Sequence, residues 1–203
     1  MRLKDQDRGI FVAKLYFRYA CMGAGKSIDL LKVGFNYEER GYKVMYLTAE
    51  IDNRYEKGKI TTRMGLNKDA HTFNEDTNIY NLCSSLEYVP ACVLVDEAQF
   101  LNANHVQQLT DIVDYLDIPV ICYGLRSDFR NQLFEGSKAL LTIADKIEEL
   151  KTICDCGKKA TCNMRTLNGK ATTSGEQILI GDLEYKSVCR KCYKKRVKED
   201  GEK

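Results

Sequence analysis

The run Ala20-Cys21-Met22-Gly23-Ala24-Gly25-Lys26-Ser27 has the residue types and spacing of a loop that cradles phosphate. Gly25 lets the main chain approach phosphate oxygens, the Lys26 ammonium reaches the β and γ oxygens of a nucleoside triphosphate, and the Ser27 hydroxyl serves magnesium. A helix beginning there adds unpaired amides and partial positive charge. Ala20 stands where the standard pattern has Gly, and the consequence of that change depends on the backbone angle it must adopt. A second constellation, Asp96-Glu97-Ala98-Gln99-Phe100, follows an apolar run. An acid in that place is where phosphate-loop enzymes hold magnesium, commonly through water, which makes Asp96 the metal-side carboxylate. Glu97, one residue on, can accept a proton from an attacking hydroxyl or orient a water, and Ala98 and Gln99 complete the nucleotide-side stretch.

A third constellation pairs Cys154-Asp155-Cys156 with the distant Cys189-Arg190-Lys191-Cys192. Four thiolates complement a closed tetrahedral zinc site, which leaves no open position and therefore folds a lobe and does not catalyse. Free thiols or a disulfide are the other reading. Cys162 has no partner at ligand spacing, and Cys21, Cys83, Cys92 and Cys122 read as small hydrophobes. Arg54 and Arg63 follow a strand's C-terminal end, where open α/β sheets bind ligands, so either can meet phosphate or lie in a solvated loop. Phe129 can pack on a flat ligand or belong to the core. His71 and His105, in polar stretches without partners, read as surface residues.

These residues must be positioned by alternating strands and helices. Leu15 to Tyr19, Val44 to Leu47, Ala91 to Val95 and Pro119 to Tyr123 read as strands, the third almost wholly apolar as a strand covered on both faces should be. Ser27 to Arg40, stopped by Gly41, and Val106 to Leu116 read as helices. The expected class is α/β: a phosphate-loop parallel sheet flanked by helices over residues 10–150, then a small zinc-ribbon-like lobe over 151–193. The lobe's one convincing apolar run is Ile178-Leu179-Ile180. Residues 194–203 read as a charged, disordered tail, and the basic stretch Ile51 to Leu66 as either disordered or a mobile phosphate-facing loop.

Composition narrows the classes. With 203 residues the chain holds one α/β domain and an appendage. A helicase-like motor, which the Asp-Glu-Ala-Gln box and a cysteine ribbon would otherwise suit, generally needs two such lobes. A net charge of +2 gives no bulk argument for nucleic acid or membrane. An odd count of nine cysteines is not a secreted disulfide framework, and no apolar run reaches signal or membrane-span length, so a cytoplasmic setting is expected.

With these residues assembled, the chain resembles the cytosolic-type (type II) thymidine kinase family from Leu15 to Tyr193. The segments that carry the resemblance are LYFRYACMGAGKS, NYEERG, LTAEIDNR, VLVDEAQFL, IPVICYGLRSDFR, LFEGS, ADKIEELKTICDCGKKA, GEQILIG and YKSVCRKCY, in family order. The resemblance implies transfer of the ATP γ-phosphoryl group to the 5′-hydroxyl of thymidine, and of deoxyuridine, giving dTMP. It implies the loop Ala20 to Ser27 on the phosphates, Asp96 near magnesium and Glu97 as general base. The base is expected against Met22, Phe100 and Phe129, and against main-chain groups of a lasso loop matching Gln177-Ile178-Leu179-Ile180-Gly181, with Tyr185 beyond it. Between Ile180 and Tyr185 the chain is one residue shorter than the family pattern, and Cys192 stands where bacterial relatives often have His. A homotetramer inhibited by dTTP is likewise expected from the resemblance alone.

Overall fold

The computed structural model describes residues 12–52, 56–178 and 184–201. The first half alternates strands and helices: β1 (Leu15–Ala20), α1 (Lys26–Glu38), β2 (Val44–Ala49), β3 (Lys59–Thr61), β4 (Asn67–Asp69), β5 (His71–Phe73), α2 (Ile79–Ser84) and β6 (Cys92–Val95). After a single 3-10 turn at Ala98–Phe100 come α3 (Ala103–Leu116), β7 (Val120–Leu125), α4 (Glu135–Ile143) and β8 (Lys146–Glu149). The chain then forms β9 (Cys162–Leu167), β10 (Lys170–Thr172), β11 (Glu184–Val188) and α5 (Arg190–Gly201).

Six strands make one parallel sheet in the order β5-β2-β6-β7-β1-β8. Its side chains alternate between two apolar layers, as the two-residue strand period requires. Met45, Leu47, Val93, Val95, Val120 and Cys122 face α2, α3 and α4, where Ile79, Leu109, Ile112 and Leu140 meet them. Val44, Tyr46, Cys92, Leu94, Ile121 and Tyr123 face the opposite way and pack on Leu30 of α1. All four residues of β6 are fully buried, which explains its uninterrupted apolar sequence. The helix α1 buries Lys26, Leu30 and Gly34, spaced by one turn each.

A second sheet, antiparallel in the order β10-β9-β11, carries the C-terminal lobe. Its core includes Cys162 and Met164 from alternate positions of β9, Val188 at the end of β11, Cys189 just after it and Tyr193 on α5, which form no apolar run in the sequence. Ile178 is exposed, and Leu179 and Ile180 lie outside the described residues.

Three expectations are corrected. The charged tail over 194–203 is helical as far as Gly201, because Tyr193 and Val197, one turn apart, pack on the lobe core and Asp200 accepts from the Ala171 N–H at 2.7 Å. Of the two readings of 51–66, disorder is overturned for its described residues by β3, which pairs with β4 as a hairpin and buries Ile60, while the phosphate-facing alternative is not. His105 is 1 % exposed, not a surface residue. It caps α3: Asn102 accepts from the His105 N–H at 2.8 Å while the imidazole Nδ1 accepts from the Asn102 N–H at 3.3 Å. His71 is exposed, as expected.

Candidate active site

The loop between β1 and α1 turns on two glycines with left-handed backbone, Gly23 at φ 70° and Gly25 at φ 78°. A side chain at either would strain the backbone, so the glycines serve conformation. Ala20 makes no such demand: it is the last residue of β1, paired with Leu125 and with no positive φ, so replacing Gly by Ala there leaves the loop's course unchanged. Gly25 caps α1, and Lys26 and Ser27 are its first two residues. The helix start therefore aims its amides and partial positive charge at the space beyond the loop.

From the end of β6, two strands away across the sheet, the acidic pair meets this helix start. The Ser27 hydroxyl donates to Asp96 Oδ2 at 2.8 Å, and the Glu97 N–H donates to Asp96 Oδ1 at 3.0 Å. Asp96 is 4 % exposed. Burial pushes its carboxyl up to about 7, the neighbouring Glu97 adds to the rise, and the Ser27 hydroxyl and Lys26 ammonium oppose it. A cation or a phosphate-bound metal at this point would return the carboxyl to its ionised form.

Glu97 is in the left-handed region at φ 51°, an uncommon conformation for a residue with a side chain, and one that costs about 1–3 kcal/mol. Its neighbours hold it there. Gln99 donates from Nε2 to Glu97 Oε2 while its own Oε1 accepts from the Leu125 N–H at 2.9 Å. Gln99 is thus a buried strut between β7 and the Glu97 carboxylate. Ala98 is fully buried beneath it.

Lys26, Ser27, Gly23, Gly25, Met22 and Glu97 line a cleft of about 300 Å³. The β3–β4 hairpin supplies the opposite wall through Thr61, Thr62 and Arg63. Of the two arginines singled out from the sequence, Arg63 lines this cleft, and Arg54 lies outside the described residues. The chemistry available is polyanion binding beside a pair of carboxylates, one of them next to a hydroxyl that suits magnesium.

The residues expected around a base lie toward the C-terminal lobe. Phe129 is 1 % exposed, with the Arg165 guanidinium 3.6 Å from its ring centroid. Phe100 is half-buried and meets Phe134 edge to face. Tyr185 accepts from Arg165 Nε at 2.8 Å, and Gln177 Nε2 donates to Asp128 at 3.1 Å. Ile178 is exposed, and Leu179, Ile180 and Gly181 lie outside the described residues. The organiser that sequence reasoning missed is Arg165, whose two terminal nitrogens also donate to the carbonyls of Glu176 and Gln177 at 2.9 and 3.3 Å. It ties Phe129, Tyr185 and the start of the lasso segment together. Nothing local marks it, since its partners come from three separate stretches of chain.

The Cys154, Cys156, Cys189 and Cys192 sulfurs lie within 4.8 Å of one another, and Cys156 and Cys189 are 3.6 Å apart. Zinc–sulfur bonds of about 2.3 Å in a tetrahedron require sulfurs about 3.8 Å apart, so the four residues fit that ion. Two short features shape the cluster. Cys154 N–H donates to the Lys158 carbonyl and Gly157 N–H to the Cys154 carbonyl, making a tight knuckle. Cys192 N–H, in the first turn of α5, points at the Cys189 sulfur at 3.5 Å. Cys83, Cys92, Cys122 and Cys162 are buried, Cys21 is half-buried, and no disulfide links any of the nine.

Comparison with known proteins adds independent findings. A family model described as thymidine kinase matches residues 13–193. A thymidine kinase of Enterococcus faecalis is 52% identical over 184 residues, covering 90% of this chain and 95% of the relative. Those of Vibrio parahaemolyticus and Lactococcus lactis are 52% and 50% identical over 187 and 184 residues, each across 90% of this chain and 97% of the relative.

Proposed function

Because the chain belongs to the thymidine kinase family, we propose a residue-level account of how its cleft performs that family's reaction. The protein is an ATP-dependent kinase that phosphorylates thymidine to dTMP. In our reading the phosphates of ATP lie along Cys21 to Ser27, with Lys26 on the transferred group and Arg63 across the cleft. Ser27 and Asp96 hold magnesium, which supplies charge neutralisation for the triphosphate when bound.

Glu97 accepts the proton of the nucleoside 5′-hydroxyl as its oxygen attacks the γ-phosphorus. A new phosphorus–oxygen bond forms, the bond to the β–γ bridging oxygen breaks, and ADP leaves. The observation that carries this role is the Gln99 strut, which holds the carboxylate of Glu97, itself in an uncommon left-handed backbone conformation, at the cleft. Most of the rate advantage then comes from positioning and charge stabilisation.

Several finer points belong to the same proposal. Met22, Phe100, Phe129 and Tyr185 wall the base, with main-chain groups from Gln177 to Gly181 reading its edge; deoxyuridine, which differs by one methyl, is also accepted. The zinc held by the four cysteines is structural. Residues 10–150 act as the nucleotide-binding domain and 151–193 as the lobe that closes over the nucleoside. A homotetramer, feedback inhibition by dTTP and a cytoplasmic setting complete the reading. Among the described residues, no helix is long and apolar enough to cross a membrane.

The decisive test is ATP consumption across a panel of free nucleosides. Turnover with thymidine and deoxyuridine, weak turnover with purine nucleosides and inhibition by added dTTP are the expected results. ATP hydrolysis stimulated by single-stranded DNA, without phosphorylation of any nucleoside, would sink the account. Light scattering of the purified chain at several concentrations checks the tetramer.

A further inference from the structure

Asn163 on β9 and Ser187 on β11 are direct partners in the antiparallel register of the C-terminal sheet. Both reach out of that sheet to one residue of the phosphate loop. The Met22 N–H donates to Asn163 Oδ1 at 2.9 Å, and the Ser187 hydroxyl donates to the Met22 carbonyl. The far side of the Asn163 amide donates from Nδ2 to the Ser127 carbonyl at 2.9 Å, on the segment following β7. Asn163 is 3 % exposed. Two successive peptide groups of the loop are therefore gripped by side chains 141 and 165 residues further along the chain.

The chemistry of the grip is polarised. Asn163 must accept on one side and donate on the other, which Asp, Leu or Ala cannot do. Ser187 must offer a hydrogen to a carbonyl. The loop needs such help, because Gly23 and Gly25, which its turns require, also leave the free backbone with more conformations to lose. Amides converge on an anion only if the peptide planes before them are fixed.

We propose that Asn163 and Ser187 are positioning residues for ATP: they hold the Met22 peptides so that the phosphate loop stays in its binding conformation before nucleotide arrives. This rests on the kinase reading above. Without the grip only a fraction of molecules carries a competent loop, and apparent ATP affinity falls by that fraction. Saturating ATP restores the competent form, so the loss falls on KM for ATP and not on kcat.

The test is equilibrium binding of ATP, without nucleoside, to the full-length parent and to Asn163→Ala, Ser187→Ala, Ser187→Thr and the double alanine variant, with kinetics and thermal melting alongside. Each single alanine variant is expected to raise Kd and KM for ATP about tenfold, the scale of losing one part-buried hydrogen bond to the backbone. kcat should change by less than about threefold, on the two-state argument above. Ser187→Thr, which keeps the hydroxyl, should bind ATP as the parent does. The double variant should lose less than the product of the single effects, since both residues act on one site.

Parent-like ATP affinity in folded alanine variants overturns the proposal, as does a Ser187→Thr variant as weak as Ser187→Ala, or a loss confined to kcat. If Asn163→Ala does not fold, the Ser187 pair decides. A parent chain that neither binds ATP nor phosphorylates thymidine would instead remove the kinase reading on which the proposal rests. An active parent with unaffected variants removes only the positioning role.

Discussion

The Ser27 hydroxyl and the Asp96 carboxylate, 69 residues apart in sequence, meet at 2.8 Å where α1 begins and β6 ends. The hydrogen bond joins the phosphate loop to the acidic box and sets the two proposed magnesium-side oxygens beside each other. Ser27→Ala should therefore lower kcat/KM by about tenfold or more, on the scale of a hydrogen bond to a charged group, and raise the magnesium concentration for half-maximal activity. A magnesium titration of parent and variant at fixed ATP checks both.

Glu97→Gln keeps the side-chain shape and removes the proton acceptor. Turnover should fall by about 10² or more while ATP affinity stays within a few-fold, the pattern of a lost general base. Steady-state kinetics with nucleotide binding on the same preparation measure it, and near-normal turnover would remove Glu97 from the role.

Gly136 on α4 touches the turn that carries Gln99. A Cβ there would sit 2.6 Å from the carbonyl oxygens of both Ala98 and Leu101, and backbone cannot swing aside as a side-chain tip does. Gly136→Ala should cost about 1–3 kcal/mol in stability, as overpacking does. It should also lower kcat by moving the Gln99 strut. Urea unfolding and kinetics of the same variant report the two effects.

His105 uses both ring nitrogens in its neutral form: Nδ1 accepts from Asn102, and Nε2 lies 3.1 Å from the Thr77 carbonyl, to which its hydrogen donates. Burial holds the imidazole below the ordinary histidine range, with the Thr77 carbonyl and Glu135 partly opposing. A base with a depressed folded pKa gives its full stabilisation above the unfolded value, about 6.5, and loses it as pH falls below that value. The stability difference between parent and His105→Gln should therefore shrink from pH 8 to pH 5, as read from urea midpoints.

Elemental analysis of the purified protein should find about one zinc per chain, the complement of four thiolates. Cys189→Ser should lose it, and chelation should lower the melting temperature, because metal binding is part of the lobe's folding free energy. A stable, active, metal-free chain would contradict the assignment.

The catalytic half was legible because its signals are local. Leu15 to Ser27 reads as strand, loop and helix from consecutive residues, and Val93 to Glu97 as buried strand and acidic end. The cysteine pairs were legible for the same reason, two ligands at a time. The rest depends on contacts between distant segments. His105 became a capping residue only through Thr77, 28 residues away. Asn163 and Arg165 sit among residues that look like an ordinary strand, and their meaning lies in Met22, Ser127, Phe129 and Tyr185. The helix α5 was missed because two-thirds of its residues are charged, and the Tyr193 and Val197 stripe that docks it is narrow.

The order β5-β2-β6-β7-β1-β8 sets a schedule for synthesis. Among the described residues β1 pairs with β7 and β8 alone, so the first described strand to leave the ribosome finds its earliest neighbour at Val120. Until then the phosphate loop hangs from a strand with both edges open, whereas β2, β5 and β6 can already associate. A nascent chain halted before that point has the acidic box but no seat for the loop. Such long-range parallel pairing is slow and leaves strand edges exposed to other chains. Chaperone engagement is thus most needed while roughly the first half of this chain is being made.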